Sequence, residues 1–188
     1  VSAGRVMVDG GGPFGLVPRV LWSRTLAPDE QNRVPMLLTC LLVRAAGRTI
    51  VIDTGLGEKM ASKEIEHWGL TYPEGTLVEG LARHGVAPED VDMVINTHLH
   101  ADHCAGNTVL GPGGELCATF PNAEYVVQTR EYEDGMRPNE RTRATYFPAN
   151  YAPVVERGQM RLLDGDTEIA PGVWGIVAPG HTPGHQVI

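Results

Sequence analysis

The sequence is short of cysteine and of basic side chains. Its 188 residues include only three cysteines, and 15 Lys and Arg stand against 23 Asp and Glu. An odd, sparse set of cysteines argues against a disulfide scaffold and fits a reducing compartment, so we expect a cytoplasmic protein. The formal net charge of -8 disfavours nucleic acid or an anionic membrane, because both reward a basic surface. We therefore expect neither of them as a partner.

Several sequence signals are also missing. No apolar run reaches membrane-spanning length, and no basic segment followed by an apolar core occurs, so a signal peptide is not predicted in the chain as given. Because the chain begins at Val1 and not at Met, a leader removed earlier stays an open alternative. There is no Gly-x-Ser-x-Gly element and no Gly-rich phosphate loop with Lys, which argues against those types of nucleophile and nucleotide site.

The residues that are present have the composition and patterning of one globular domain. Hydrophobic residues make up 42% and charged residues 20% of the chain, which is long enough to bury a core. Apolar runs predict a hairpin of strands over Met36 to Val43 and Thr49 to Ile52. Helices are expected over residues 56–67 and 76–85. Further strands are predicted at Glu124 to Gln128, Met160 to Leu163 and Val173 to Val177, the last with Trp174 in the core.

The most informative stretch spans residues 97–106. It holds metal-competent side chains at closely spaced positions, namely His98, His100, Asp102 and His103. The preceding residues 91–96 are apolar and β-branched, which predicts a strand that delivers this group to a sheet edge. In an extended segment His98 and His100 project to the same side and can share one ion. Asp102 and His103, just beyond, reach toward a second ion.

This clustering favours a catalytic metal site over isolated structural histidines. Imidazole and carboxylate ligands without a pair of thiolates argue against a structural Cys-type zinc site. We therefore expect one or two divalent metal ions as cofactors, with zinc first and iron, manganese or cobalt as alternatives.

Motifs at three places along the chain together resemble the metallo-β-lactamase superfamily of metallo-hydrolases. They are Ile52-Asp53-Thr54-Gly55, the His98 to His103 run and Gly180-His181-Thr182-Pro183-Gly184-His185. The N-terminal half is similar to the lactonase-like branch, through Gly12-Pro13-Phe14-Gly15, Asp29 to Arg33 and Pro138 to Arg143. The resemblance implies an α+β fold, the four-layer αβ/βα sandwich. Residues 1–188 would be a single domain, the N-terminal part of that fold, ending after the third-ligand loop with the C-terminal half incomplete.

The resemblance also assigns roles to individual residues. His181 matches the third ligand of the first ion, beside His98 and His100. Asp102 would be catalytic, holding the second ion with His103 and orienting a hydroxide. Asp53 would lie beneath the site and orient ligands by hydrogen bonding, and His185 matches a supporting position that is not a ligand.

The chain departs from the family pattern after His185. The family's metal-bridging Asp and a late His both lie beyond the third-ligand loop, and no Asp or His follows His185 here. Two readings stay open, a fragment of a longer active enzyme and a truncated homologue with an altered site. The well-formed motifs favour the fragment.

These residues predict a metal-dependent hydrolase for a small-molecule substrate. Three neutral ligands leave a position for water, whose pKa a divalent ion lowers to about 7. The metal-bound hydroxide would open a lactone or cleave a related ester. Alternatives are hydrolysis of a thioester, β-lactam or phosphotriester, and a metal-binding homologue that is not a hydrolase, such as a redox partner using iron. The sequence does not define the oligomeric state.

Overall fold

A computed structural model describes all 188 residues and contains twelve strands and seven α-helices. The strands are β1 (Ser2–Asp9), β2 (Arg33–Thr39), β3 (Leu41–Ala45), β4 (Arg48–Ile52), β5 (Met93–Ile95), β6 (Thr108–Leu110), β7 (Leu116–Ala118), β8 (Glu124–Gln128), β9 (Met160–Leu163), β10 (Thr167–Ala170), β11 (Val173–Val177) and β12 (Gln186–Val187). The helices are α1 (Gly11–Phe14), α2 (Arg19–Trp22), α3 (Ser62–Trp68), α4 (Leu77–Arg83), α5 (Ala101–Cys104), α6 (Thr129–Met136) and α7 (Ala152–Glu156). None of these helices has the length and apolar character needed to cross a bilayer.

A five-stranded sheet with the order β3-β4-β5-β8-β9 organises the molecule. β3 and β4 form an antiparallel hairpin, whereas β4, β5, β8 and β9 run parallel to their neighbours. All three residues of β5, Met93 to Ile95, are completely buried. A central parallel strand is covered on both faces, which is why this stretch is apolar throughout and does not alternate with polar residues.

Side chains of the five-stranded sheet alternate between two hydrophobic cores. Ile50 and Ile52 of β4 face a core shared with Ile169 of β10, which belongs to a three-stranded antiparallel sheet of β10, β11 and β12. Val51 faces the opposite core, which includes Leu81 of α4 and residues of the β1-β2 pair. The sheet therefore lies between a second sheet and a layer of helices, and the predicted α+β sandwich is confirmed.

The predicted hairpin is wrong at its start. Met36 belongs to β2, which pairs with β1 and not with β4. The chain changes sheets at Cys40, whose backbone N–H donates to the carbonyl of Val1 at 2.9 Å. The apolar run continues through this point, so only the partner strand distinguishes the two elements.

Two other predictions differ from the structure. The helix expected over residues 56–67 begins only at Ser62, because Gly55 and Gly57 adopt φ angles of 66° and 64° in turns that follow β4. Trp174 is 48% exposed and not in the core. Strand alternation places Gly175, its neighbour, on the covered face of β11 against Ile169.

Candidate metal centre

The candidate site lies at the edge where the parallel strands β4, β5 and β8 end. Asp53 directly follows β4, and the segment that carries His98 and His100 follows β5. Glu131 lies in the first turn of α6, which follows β8. Since the carboxyl ends of parallel strands share one edge of a sheet, residues distant in sequence meet there, as in other open α/β sheets.

Three histidines converge at this edge, two of them as their spacing predicts and His181 as the family resemblance implies. Ligand atoms of His98, His100 and His181 all lie within 4.8 Å of one another. His181 reaches the group from the loop between β11 and β12, where Gly180 has a φ of 154°. Nδ1 of His100 lies 3.0 Å from Nε2 of His181. Two ligands of a tetrahedral zinc ion are about 3.3 Å apart, given zinc–nitrogen distances of about 2.05 Å.

Asp102 and His103 lie beside this three-histidine cluster. The ring of His103 is 4.0 Å from the ring of His98, between centroids, and its Nε2 is 3.5 Å from Oδ2 of Asp102. His185 is also adjacent, with its ring 5.1 Å from that of His98. The structure thus brings together every residue that the sequence proposed as a ligand, and their binding of metal stays a prediction.

Asp53 supports this group through hydrogen bonds to two neighbours. Its carboxylate accepts from the backbone N–H and the hydroxyl of Thr97, both at 2.8 Å, and lies 2.8 Å from Nδ1 of His103. Its φ of 57° is in the left-handed region, which Asp tolerates better than most residues. A neutral His103 that donates from Nδ1 keeps the lone pair of Nε2 free for a metal ion.

The same carboxylate orients His98 through Thr97. The Thr97 hydroxyl donates to Asp53 and can therefore accept from Nδ1 of His98, 3.1 Å away. This leaves Nε2 of His98 as an acceptor, and that atom is buried without a hydrogen-bond partner. An unsatisfied buried polar atom costs about 1–3 kcal/mol, so it calls for a ligand. A divalent ion fits the position, because neutral imidazole is its common ligand.

The histidines of the site fall into two groups according to whether their surroundings lower or raise the pKa. Burial lowers the pKa of His98 and of His100, and the neighbouring imidazoles lower it further. Burial also lowers the pKa of His185. At His103 burial acts in the same direction, but the hydrogen bond and charge of Asp53 outweigh it and raise the pKa. His98 and His100 are therefore kept in the neutral form that metal binding requires.

Sequence reasoning missed one buried acid of the site, Glu131. Its carboxylate accepts hydrogen bonds from Leu99, Tyr146 and Thr182, so it contacts both segments that carry the clustered histidines. The available signal was an acid in the first turn of a helix that follows a predicted strand. Such acids usually complement the helix dipole at the surface, so the pattern alone does not distinguish Glu131.

Comparisons with known proteins agree with this architecture. Residues 35–188 match the family described as the metallo-beta-lactamase superfamily. An N-acyl homoserine lactonase from a Bacillus species is 32% identical over 202 residues, covering 99% of this chain. One from Bacillus cereus is 31% identical over 197 residues, again with 99% of this chain covered. The chain spans 66% of the length of each of these two relatives.

Solved structures show the same likeness. The crystal structure of a probable metal-dependent hydrolase from Staphylococcus aureus superposes with a TM-score of 0.87 at 32% identity, covering 98% of this chain and 64% of its own. An N-acyl homoserine lactone hydrolase, with the product N-hexanoyl-L-homoserine bound at its catalytic metal centre, gives a TM-score of 0.70 at 28% identity, with 99% and 66% covered. The family match, the relatives and the fold together identify this chain as a member of the metallo-beta-lactamase superfamily.

Proposed function

We propose that this protein is a metal-dependent hydrolase that opens the ring of a small lactone. The observation that carries the proposal is the convergence of three histidines around the buried, unpartnered Nε2 of His98. The similarity to N-acyl homoserine lactonases supports this substrate class for a chain that covers part of their length. We infer further that residues 1–188 form a single domain of the superfamily.

In this proposal the residues of the site have distinct roles. His98, His100 and His181 hold one divalent ion, with zinc preferred over iron, manganese or cobalt. Asp102 and His103 contribute to a second ion. Asp53 fixes the tautomers of His98 and His103, and His185 supports the cluster from the side without acting as a ligand.

The reaction is the addition of water to the lactone carbonyl. A divalent ion, when bound, supplies an activated water molecule and polarises the carbonyl oxygen. Asp102, whose side chain is 31% exposed at the edge of the cluster, accepts a proton from the attacking water. The ring C–O bond then breaks, and the leaving alkoxide takes that proton to give a hydroxy acid.

An apolar cavity beside the ligand segment supports a substrate with an acyl chain. The cavity has a volume of about 290 Å³, and it is lined by Ala101, the first residue of α5, and by Ala105, which directly follows the helix. Its other apolar walls include Leu56, Met60, Trp68, Leu110, Leu116 and Phe147. Pockets of this kind bind apolar groups, while a few polar side chains fix their orientation.

Acid release from N-hexanoyl homoserine lactone, followed with a pH indicator, tests the proposal. We expect the zinc-loaded protein to turn over, a strong chelator to abolish the rate, and added zinc to restore it. His100→Ala should abolish turnover. His84→Ala, a change to an exposed histidine at the end of α4, should leave the rate unchanged. A rate that survives confirmed metal removal would refute the metal-dependent mechanism.

A further inference from the structure

We propose that Glu131 is a positioning residue that holds the His98 to His100 segment and the His181 loop at the separation a metal ion requires. This inference rests on the proposed metal site. It concerns a residue that would touch neither metal nor substrate and would act through the segments that carry the ligands.

The carboxylate of Glu131 is completely buried and accepts three hydrogen bonds. Oε1 accepts from the backbone N–H of Leu99 at 2.9 Å and from the hydroxyl of Tyr146 at 2.8 Å. Oε2 accepts from the hydroxyl of Thr182 at 2.6 Å. A buried carboxylate is tolerated only when such donors compensate for the water it has lost.

The donors belong to the two segments that must meet. Leu99 lies between His98 and His100, and Thr182 directly follows His181. Glu131 is 32 residues from Leu99 and 51 residues from Thr182, so one side chain joins three distant parts of the chain. A shift of either hydrogen bond would move a ligand ring relative to the others.

Close packing of the His181 loop against α6 also supports a positioning role for Glu131. A Cβ atom at Gly184 would lie 2.6 Å from the Cα of Glu131, so the loop reaches the helix only because glycine is present. The loop has another attachment, since Nε2 of Gln186 donates to the carbonyl of Asn96 at 2.9 Å. Loss of the Glu131 contacts should therefore displace the loop and not release it.

The competing explanation is that Glu131 only stabilises the fold. That role predicts a lower resistance to unfolding with an unchanged affinity for metal in the protein that remains folded. Positioning predicts a weaker affinity beyond any loss of stability. Substitution of groups that orient metal ligands typically weakens binding by roughly 10- to 100-fold.

Zinc dissociation constants, measured by competition with a chelating dye, separate these explanations when urea unfolding of the metal-free protein is followed in parallel. Thr182→Val removes one donor while keeping the side-chain shape, and Glu131→Ala removes the whole contact. Glu131→Gln retains the shape and one acceptor oxygen. Tyr151→Phe is the matched control, because its buried hydroxyl donates to the carbonyl of Gly135 in the same helix at 2.6 Å.

We expect Thr182→Val and Glu131→Ala to weaken zinc binding by about 10- to 100-fold, with a smaller loss for Glu131→Gln. Tyr151→Phe should lower stability and leave zinc affinity unchanged. If Glu131→Ala does not fold, the zinc affinities of Thr182→Val and Glu131→Gln, compared with that of Tyr151→Phe, distinguish the two explanations. Equal zinc affinity in these variants and the control would overturn the positioning role alone. Failure of the unaltered protein to bind zinc would instead overturn the proposed function on which it rests.

Discussion

Asp53 illustrates how single residues prepare the candidate site. It occupies a left-handed backbone position at the end of β4 and accepts hydrogen bonds from Thr97 and His103. Through these two neighbours it determines which nitrogen of His98 and of His103 carries the proton. An amide in the same place has the same shape but presents N–H donors to one of these partners, so the tautomers would change.

We therefore expect Asp53→Asn to weaken zinc binding on the order of 10- to 100-fold while the protein remains folded. Isothermal titration with zinc measures the affinity, and circular dichroism follows folding. Asp92→Asn is the matched control. The Asp92 carboxylate accepts a hydrogen bond from the backbone N–H of Thr49 at 2.7 Å and makes none with a histidine. Unchanged zinc affinity in Asp53→Asn would contradict the role assigned to Asp53.

At the scale of elements, the contact between the turn after β4 and the turn at Gly106 stabilises the edge that carries the site. Hydrogen bonds join the turn after β4 to α5 and to the turn that follows α5: Thr54 N donates to His103 O at 2.7 Å, and Gly106 N donates to Gly55 O at 2.9 Å. A Cβ atom at Gly106 would lie 3.0 Å from the carbonyl carbon of Thr54 and in collision with its oxygen. These atoms belong to the Thr54 backbone, which cannot move aside as the end of a flexible side chain can.

Gly106→Ala should lower the free energy of unfolding by about 1–3 kcal/mol, because the two turns must separate. Urea denaturation of the metal-free protein measures this change. Gly12→Ala provides the comparison, since no atom lies within 4 Å of a Cβ built there and its φ is not in the left-handed region. A Gly106→Ala protein as stable as Gly12→Ala would mean that the turns are not held in this contact.

The sequence predicted correctly those features that depend on residues adjacent along the chain. The apolar run of β5 and the histidine spacing after it depend on adjacent residues, and the structure agrees with both. The change of sheet at Cys40 depends on pairing with Val1, and the contacts of Glu131 depend on a loop 51 residues away. Neither leaves a periodic signal, so neither was accessible before the fold was known.

At the scale of the whole molecule, the proposed ligands are unevenly distributed between the two proposed metal positions. Three histidines surround one position, whereas only Asp102 and His103 are assigned to the second. Two protein ligands hold a divalent ion less tightly than three, because more of its coordination remains with water. The metal-bridging acid and the late histidine that the family resemblance implies have no counterpart after His185 in these 188 residues.

The 188-residue chain should therefore bind close to one zinc ion tightly and a second one weakly. Elemental analysis after gel filtration, with and without a brief chelator wash, measures the two populations. Two ions that both survive the wash would mean that a further residue completes the second position. Cys104 is an unsuitable candidate, because burial raises the pKa of its thiol and its Sγ donates to the carbonyl of Leu99 at 3.2 Å. His185 would then be the residue responsible, and His185→Ala should reduce the tightly bound zinc from two ions to one.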